Sequence, residues 1–154
     1  MTVDSFNGRT GIVSPASGDY PASIINYTLP GSGTTRTVEA RLGNYVSVAD
    51  YGATTAATDN ATAINAALAA GGQVYLPPGD YACKSTININ AAICRGFFGP
   101  GRLVMASTFT GPDLVVVSEA GPCTIKEIGL IVNKTTFPEK AAIDISGATD
   151  VTLT

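Results

Sequence analysis

Histidine and tryptophan are missing from this chain of 154 residues, and only 7% of it is aromatic. Without histidine there is no Ser-His-Asp nucleophile set and no imidazole ligand for zinc. Cysteine is scarce too. Cys83, Cys94 and Cys123 are odd in number and form no Cys-x-x-Cys pair, which argues against a disulfide framework or a zinc site. They read as small buried hydrophobes or as free thiols facing water. Charged residues make up 14% of the chain and leave a net charge of −3, without the clustered Lys and Arg that a nucleic-acid surface needs. No apolar run approaches the roughly 20 residues of a membrane helix. The start, MTVDSFNGRTG, lacks the basic end and apolar core of a secretory signal, so assembly in a cytoplasm is expected. Gly96 to Gly101 lacks the Lys-Ser/Thr of a phosphate loop. No cofactor and no metal are expected.

What the chain does hold is 45% hydrophobic residues and 17 glycines, with many Ala and Thr. Small and β-branched residues at low charge favour repetitive β structure over a helical bundle. The most informative stretch runs from Val46 to Tyr81. Thr58 or Asp59 is a candidate N-cap, since a short side-chain oxygen accepts a bond from a first-turn amide. Ala61, Ile64, Ala67 and Leu68 recur at helical spacing and predict an amphipathic helix over 60–70. Gly71 and Gly72 stop it, because glycine takes the left-handed C′ conformation freely. Val74 and Leu76 then point one way and Tyr75 the other, as in a half-buried strand. Pro77, Pro78 and Gly79 end that strand, and Tyr81 opens the next.

Further on, short apolar strands alternate with turn residues: Ile87–Ile89, Leu103–Met105, Leu114–Val117, Ile125–Val132, Ile143–Ile145 and Val151–Leu153. Several pairs lie roughly 20 to 28 residues apart, a solenoid period, and Leu130 and Leu153 are a candidate stacked pair. An open antiparallel sandwich would give similar short strands. The end at Asp150 to Thr154 falls in mid-strand with no polar terminator, which suggests a piece of a longer protein or a partner covering that end.

Residues 1–45 form a different region. They are rich in Gly, Ser, Thr and Pro and thin in apolar residues, so alone they cannot easily offset their ordering entropy. Asn7-Gly8 is a hairpin dipeptide, and Gly31-Ser32-Gly33-Thr34-Thr35 reads as a linker. Residues 37–45 read as a short strand or neck helix. The expected division is a segment over 1–45 and a β module over 46–154.

Two motifs carry a family resemblance. Val46 to Tyr81 resembles the opening of pectate-lyase-like right-handed β-helix proteins, in the form found in bacteriophage tailspikes and tail fibres. Phe6-Asn7-Gly8-Arg9-Thr10-Gly11, followed by Asp19 and Tyr20, resembles the FNGRTG…GDY motif of phage tail proteins. Cys94 to Arg102 resembles the family's glycine-rich turn after the first coil. The resemblance implies a mainly β fold: a right-handed parallel β-helix capped by one short helix, involving Thr58, Asp59, Ile64, Leu68 and Gly71. Before it would stand an extended trimerising arm in which Phe6, Asn7, Gly8, Arg9, Thr10, Gly11, Asp19 and Tyr20 anchor the virion. The implied partners are two further copies, other tail or baseplate proteins, and host surface polysaccharide through a downstream region. The implied location is the phage tail.

Polysaccharide-cleaving β-helices set two or three carboxylates in a groove as acid and base or nucleophile. Asp144, on a strand, and Asp150 are the candidates, and they share a face if a turn falls between them. A solvated strand aspartate and a turn aspartate are the commoner condition of such residues. Asp80 and Asp113 follow Gly79 and Pro112 as turn residues, and Lys126-Glu127 is a surface pair of little weight. Three functions compete: a structural virion protein, a polysaccharide depolymerase, and a non-phage pectin-degrading enzyme, the last disfavoured by the leader and the missing signal.

Overall fold

The computed structural model describes residues 5–6, 9–10, 21, 23–28, 30–31, 33–43, 45–145 and 148–154. These divide into two units, 1–44 and 45–154.

In the first unit, β1 (Ser5–Phe6) pairs antiparallel with β2 (Arg9–Thr10), Ser5 opposite Thr10 and Phe6 opposite Arg9. Asn7, Gly8, Gly11, Asp19 and Tyr20 lie outside the described residues. A second hairpin joins β3 (Asn26–Thr28) to β4 (Thr35–Thr37). Of the stretch read as a linker, Gly31 (φ 83°) and Gly33 (φ 66°) are left-handed residues between the two strands of this hairpin, and Thr35 opens β4. Thr37 then caps α1 (Val38–Leu42) by accepting a bond from the Ala40 amide at 3.0 Å. Ile24, Ile25, Tyr27 and Leu42 are all exposed, and none of the described residues from 21 to 43 is buried. Arg41 lies 5.2 Å from the centroid of the Tyr27 ring, the unit's one cation–π pair among the described residues.

The second unit is built on rotation through three sheets. After β5 (Tyr45–Ser47), a 3-10 turn over Val48–Tyr51 and α2 (Ala61–Ala69), ten strands follow. They are β6 (Gly72–Tyr75), β7 (Gly79–Cys83), β8 (Ile87–Asn90), β9 (Cys94–Phe98), β10 (Gly101–Met105), β11 (Val115–Ser118), β12 (Ala120–Lys126), β13 (Gly129–Ile131), β14 (Ile143–Asp144) and β15 (Thr149–Leu153). The sheets run β5-β6-β9-β12-β15, β7-β10-β13 and β8-β11-β14, and every pairing within them is parallel. Parallel neighbours need long crossovers, and here each crossover is a visit to the other two sheets. Ile87, Val115 and Ile143 stand in register 28 residues apart, as do Phe97, Ile125 and Leu153. The unit is thus mainly β, with parallel sheets and few helices.

The inward ladders make the core. Val46, Val74, Phe97 and Ile125 stack in one sheet, Tyr81, Leu103 and Leu130 in the second, Ile87, Val115 and Ile143 in the third. Leu130 stands opposite Leu103 and Leu153 opposite Ile125, so the proposed Leu130–Leu153 pair does not form. The apolar run 125–132 is two strands, because Glu127 turns the chain at φ 62° between β12 and β13. Cys94 to Phe98, read as a turn, is strand β9 with Cys94 and Phe97 buried; the turn comes at Gly99. At φ 134° Gly99 brings its Cα so close to the previous coil that a Cβ would sit 2.2 Å from the Leu76 carbonyl oxygen.

Candidate functional site

A coil stack begins with an exposed problem: β7 and β8 are edge strands whose outer amides and carbonyls have no earlier strand to pair with. The residues before them solve it with side chains. Helix α2 lies over β8. It buries Ala61, Ile64, Ala67 and Leu68 in the core and ends at Ala69, with Ala70 as the C-cap and Gly71 beyond it at φ 82°. The side-chain amide of Asn65 donates to the Thr86 carbonyl at 2.9 Å, and its oxygen accepts from the Asn88 amide at 2.7 Å. A single carboxamide thereby supplies the two bonds that a neighbouring parallel strand would make.

On β7 the same task falls to Asp59 and Asn60. The Asp59 carboxylate accepts from the Lys84 amide at 3.0 Å and the Ala61 amide at 3.1 Å. The buried Asn60 donates to the Ala82 carbonyl from its backbone amide at 2.8 Å and from its side chain at 3.2 Å, while its oxygen accepts from the Thr54 amide at 2.8 Å. The N-cap position itself is Asn60, not Thr58 or Asp59, and its side chain makes no cap bond because the sheet edge has claimed it. Thr58 is exposed. Asn60 and Asn65 were not singled out from the sequence. The available signal was an asparagine within an alanine-rich helix, where its propensity is poor.

Several carboxylates are engaged by neighbouring strands or turns. Asp80 is not a turn residue; it lies on β7 and holds Arg102 of β10 by two bonds, 2.6 and 2.8 Å. Asp113 accepts from the Ala141 amide, and Asp50 bonds back to the Ser47 amide in a capping box. Asp144 is on β14 and Asp150 on β15, in two different sheets, so the shared face envisaged for them is not formed. Asp150 is exposed and takes φ 61° where β15 passes the bulge in β12. Among the described residues no three His, Cys, Asp or Glu side chains gather as metal ligands. No described helix is long and apolar enough to cross a membrane.

The three thiols are buried and unbridged. Burial pushes the Cys83 pKa up to about 12, with the Asp59 charge adding to the shift. Cys94 and Cys123, on adjacent strands, share a hydrogen bond that raises the first and lowers the second.

Phe109 and Phe137 form one edge-to-face pair at 6.2 Å, and separately aromatic rings gather on the outer face of the five-stranded sheet. Two ladders face outward there: Ser47, Tyr75, Phe98 and Lys126, and beside it Tyr45, Gln73, Gly96, Thr124 and Thr152. Phe98 meets Tyr75 at 5.5 Å between centroids and Tyr45, edge on, at 6.3 Å.

With that geometry in view, residues 45–118, just under half of the chain, match the family model described as rhamnogalacturonase A/epimerase, pectate lyase-like. The match begins at β5 and ends at β11, so it spans the sealed end and the first coils. It supports a pectate-lyase-like β-helix for this part of the chain. No curated protein and no solved structure matches.

Proposed function

We propose that this chain is the N-terminal attachment part of a phage tailspike or tail fibre. The pectate-lyase-like match marks it as polysaccharide-related. In the finer reading, a right-handed β-helix engages host surface polysaccharide and the preceding arm links it to the tail or baseplate. One observation carries this: a coil stack sealed by side chains at its start stands on the same chain as an arm whose described residues from 21 to 43 include none that is buried. Identical arms would give each other the missing core, with Ile24, Ile25, Tyr27 and Leu42 as the contact residues, and three-fold symmetry would follow. The FNGRTG motif near the start supports the phage assignment, with Phe6, Arg9 and Thr10 in the first hairpin.

Light scattering after size exclusion tests it. Three copies of 15.7 kDa give about 47 kDa, and the chain without residues 1–44 runs as a monomer. A 15.7 kDa monomer for the full chain would remove the trimeric arm. The second reading is a depolymerase of capsule or O-antigen, favoured by the enzyme names in the family match. New reducing ends released from a polysaccharide by this chain would establish it.

A further inference from the structure

We infer that Cys94 and Cys123 form a modification site, a dithiol that closes to an intrachain disulfide and ties the second coil to the third. The inference stands apart from the polysaccharide reading and needs none of it. Of the three thiols, these two are the ones brought together. Cys83 lies on β7 in another sheet, where Met105 is its partner in register. Cys94 and Cys123 lie on β9 and β12, neighbours in the five-stranded sheet, and both are buried.

A bulge makes the meeting. Phe97 and Ile125 face the core in register. Two residues back from Ile125, the strand period puts Cys123 on the same inward side, and it is 1% exposed. Two residues back from Phe97 stands Arg95, a charge that an apolar core does not admit. Against β6, however, Gly72 pairs with Cys94 and Gln73 with Gly96, so Arg95 is the extra residue of a bulge. Arg95 is exposed, and Cys94 takes the inward place beside Cys123. Neighbouring strands run about 4.8 Å apart, within the roughly 4.4 to 6.8 Å that separates the Cα atoms of bridged cysteines. The two thiols already share a hydrogen bond, and the Cys94 thiol also reaches the Gly96 carbonyl at 3.6 Å.

The pair is unequal, which gives each sulfur a role. The shared bond and the Arg95 charge favour the Cys123 thiolate, while the same bond and burial hold the proton on Cys94. Cys123 is therefore the attacking sulfur and Cys94 the resolving one. The ladder between β12 and β15 is interrupted between Ala120 and Cys123, and Pro122 there has no amide to donate. That irregularity admits an oxidant as small as hydrogen peroxide. The Cys123 thiolate attacks one peroxide oxygen, the O–O bond breaks, and the departing hydroxide takes up a proton as water, leaving a sulfenic acid. The Cys94 sulfur then attacks Cys123: the S–S bond forms, the S–O bond breaks, and the Cys94 proton leaves with the hydroxide as a second water. Two thiols are oxidised and one peroxide is reduced. The thiols stay free in a reducing compartment and bridge in an oxidising one, so the stack folds first and is locked afterwards. The bond closes a loop one coil long and restricts the unfolded chain.

The test is a count of free thiols in the full chain after mild hydrogen peroxide, made in urea with a chromogenic disulfide reagent. The count is expected to fall from three to one, and dithiothreitol restores it. Mass spectrometry finds Cys94 and Cys123 in one linked pair of peptides and Cys83 unmodified. The oxidised chain keeps its circular dichroism and unfolds at a higher urea concentration than the reduced chain. In Cys94→Ala the sulfenic acid has no resolving thiol, so dimedone captures it at Cys123 more than in the parent. In Cys83→Ala the pair still bridges. A count that stays at three, a bridge that includes Cys83, or an oxidised chain that unfolds at lower urea overturns the inference. Equal dimedone labelling of Cys123 in the parent and in Cys94→Ala also overturns it, since Cys94 would then resolve nothing.

Discussion

The first strands of the stack and its last described strands are built from similar residues and covered differently. Along one inward ladder exposure rises from 0% at Val74 and 1% at Phe97 to 8% at Ile125 and 50% at Leu153. At the first end a helix covers the core, and Asp59, Asn60 and Asn65 stand in for a missing strand. Over the last described strands, β13, β14 and β15 each pair on one side among the described residues, and Ile131, Ile145 and Leu153 are exposed. The difference teaches that sealing a β stack takes two separate things. Apolar area is covered by a helix, and edge hydrogen bonds are met by carboxamide and carboxylate groups that the helix backbone cannot provide, since its own amides and carbonyls are already paired.

The strongest way to break this contrast is to place the same charge at each end. Ile64→Asp buries a carboxylate at a site with no exposure and no partner, and we expect a loss of about 4 kcal/mol or more, read as aggregation or loss of the cooperative melt. Leu153→Asp, at a half-exposed position, is expected to change stability by under about 1 kcal/mol. Equal effects would erase the distinction.

Next in size is Gly99→Ala, which tests the close contact between the first two coils at Leu76. The left-handed φ and the 2.2 Å approach to the Leu76 carbonyl together predict a loss of about 3 kcal/mol in urea unfolding. Asn65→Ala improves helix propensity, yet it orphans the Thr86 carbonyl and the Asn88 amide. The expected net effect is a loss of about 1 to 2 kcal/mol. A gain in stability would mean that α2 acts as an apolar lid alone.

A pH slope probes the buried core rather than either end. Cys83 has a folded pKa raised from 9.0 to about 12, so the folded state keeps its proton while the unfolded state loses it. Stability is therefore full below pH 9 and falls as pH rises from 9 toward 12, by up to about 1.4 kcal/mol per unit from this thiol. Tyr81, raised by burial, acts in the same direction. Melting temperature against pH for the parent and Cys83→Ala reads the difference, and an unchanged slope in Cys83→Ala would assign it elsewhere.

How much of this could be read from the residues depended on how far each interaction reaches along the chain. Strands with large apolar residues at alternate positions, such as Ile87 and Ile89 or Leu103 and Met105, announce themselves locally, as does the stripe of Ile64 and Leu68. Strand β9 did not, because Arg95-Gly96 looks like a turn and its register is set by a bulge against β6. The break at Glu127 and the bend at Asp150 were hidden for a related reason: both are non-glycine residues at positive φ, held by neighbours in other coils rather than by local preference. Asp80 looked like a turn residue because its partner, Arg102, lies a full coil away. Asn60 and Asn65 bond 21 to 23 residues ahead, beyond any window that a periodicity can sample. For the candidate site, the sequence offered Asp144 and Asp150, and sheet assignment, which only the fold decides, sets them apart.

Amide hydrogen exchange resolved by residue tests the sealed end most directly. Asn88 and Lys84 lie on or beside edge strands, yet their amides bond to the Asn65 and Asp59 side chains. We expect protection at both sites comparable to that of central strands β10 and β11, with the Asn88 protection lost in Asn65→Ala. Fast exchange at Asn88 and Lys84 in the parent chain, like that of an open strand edge, would contradict the account.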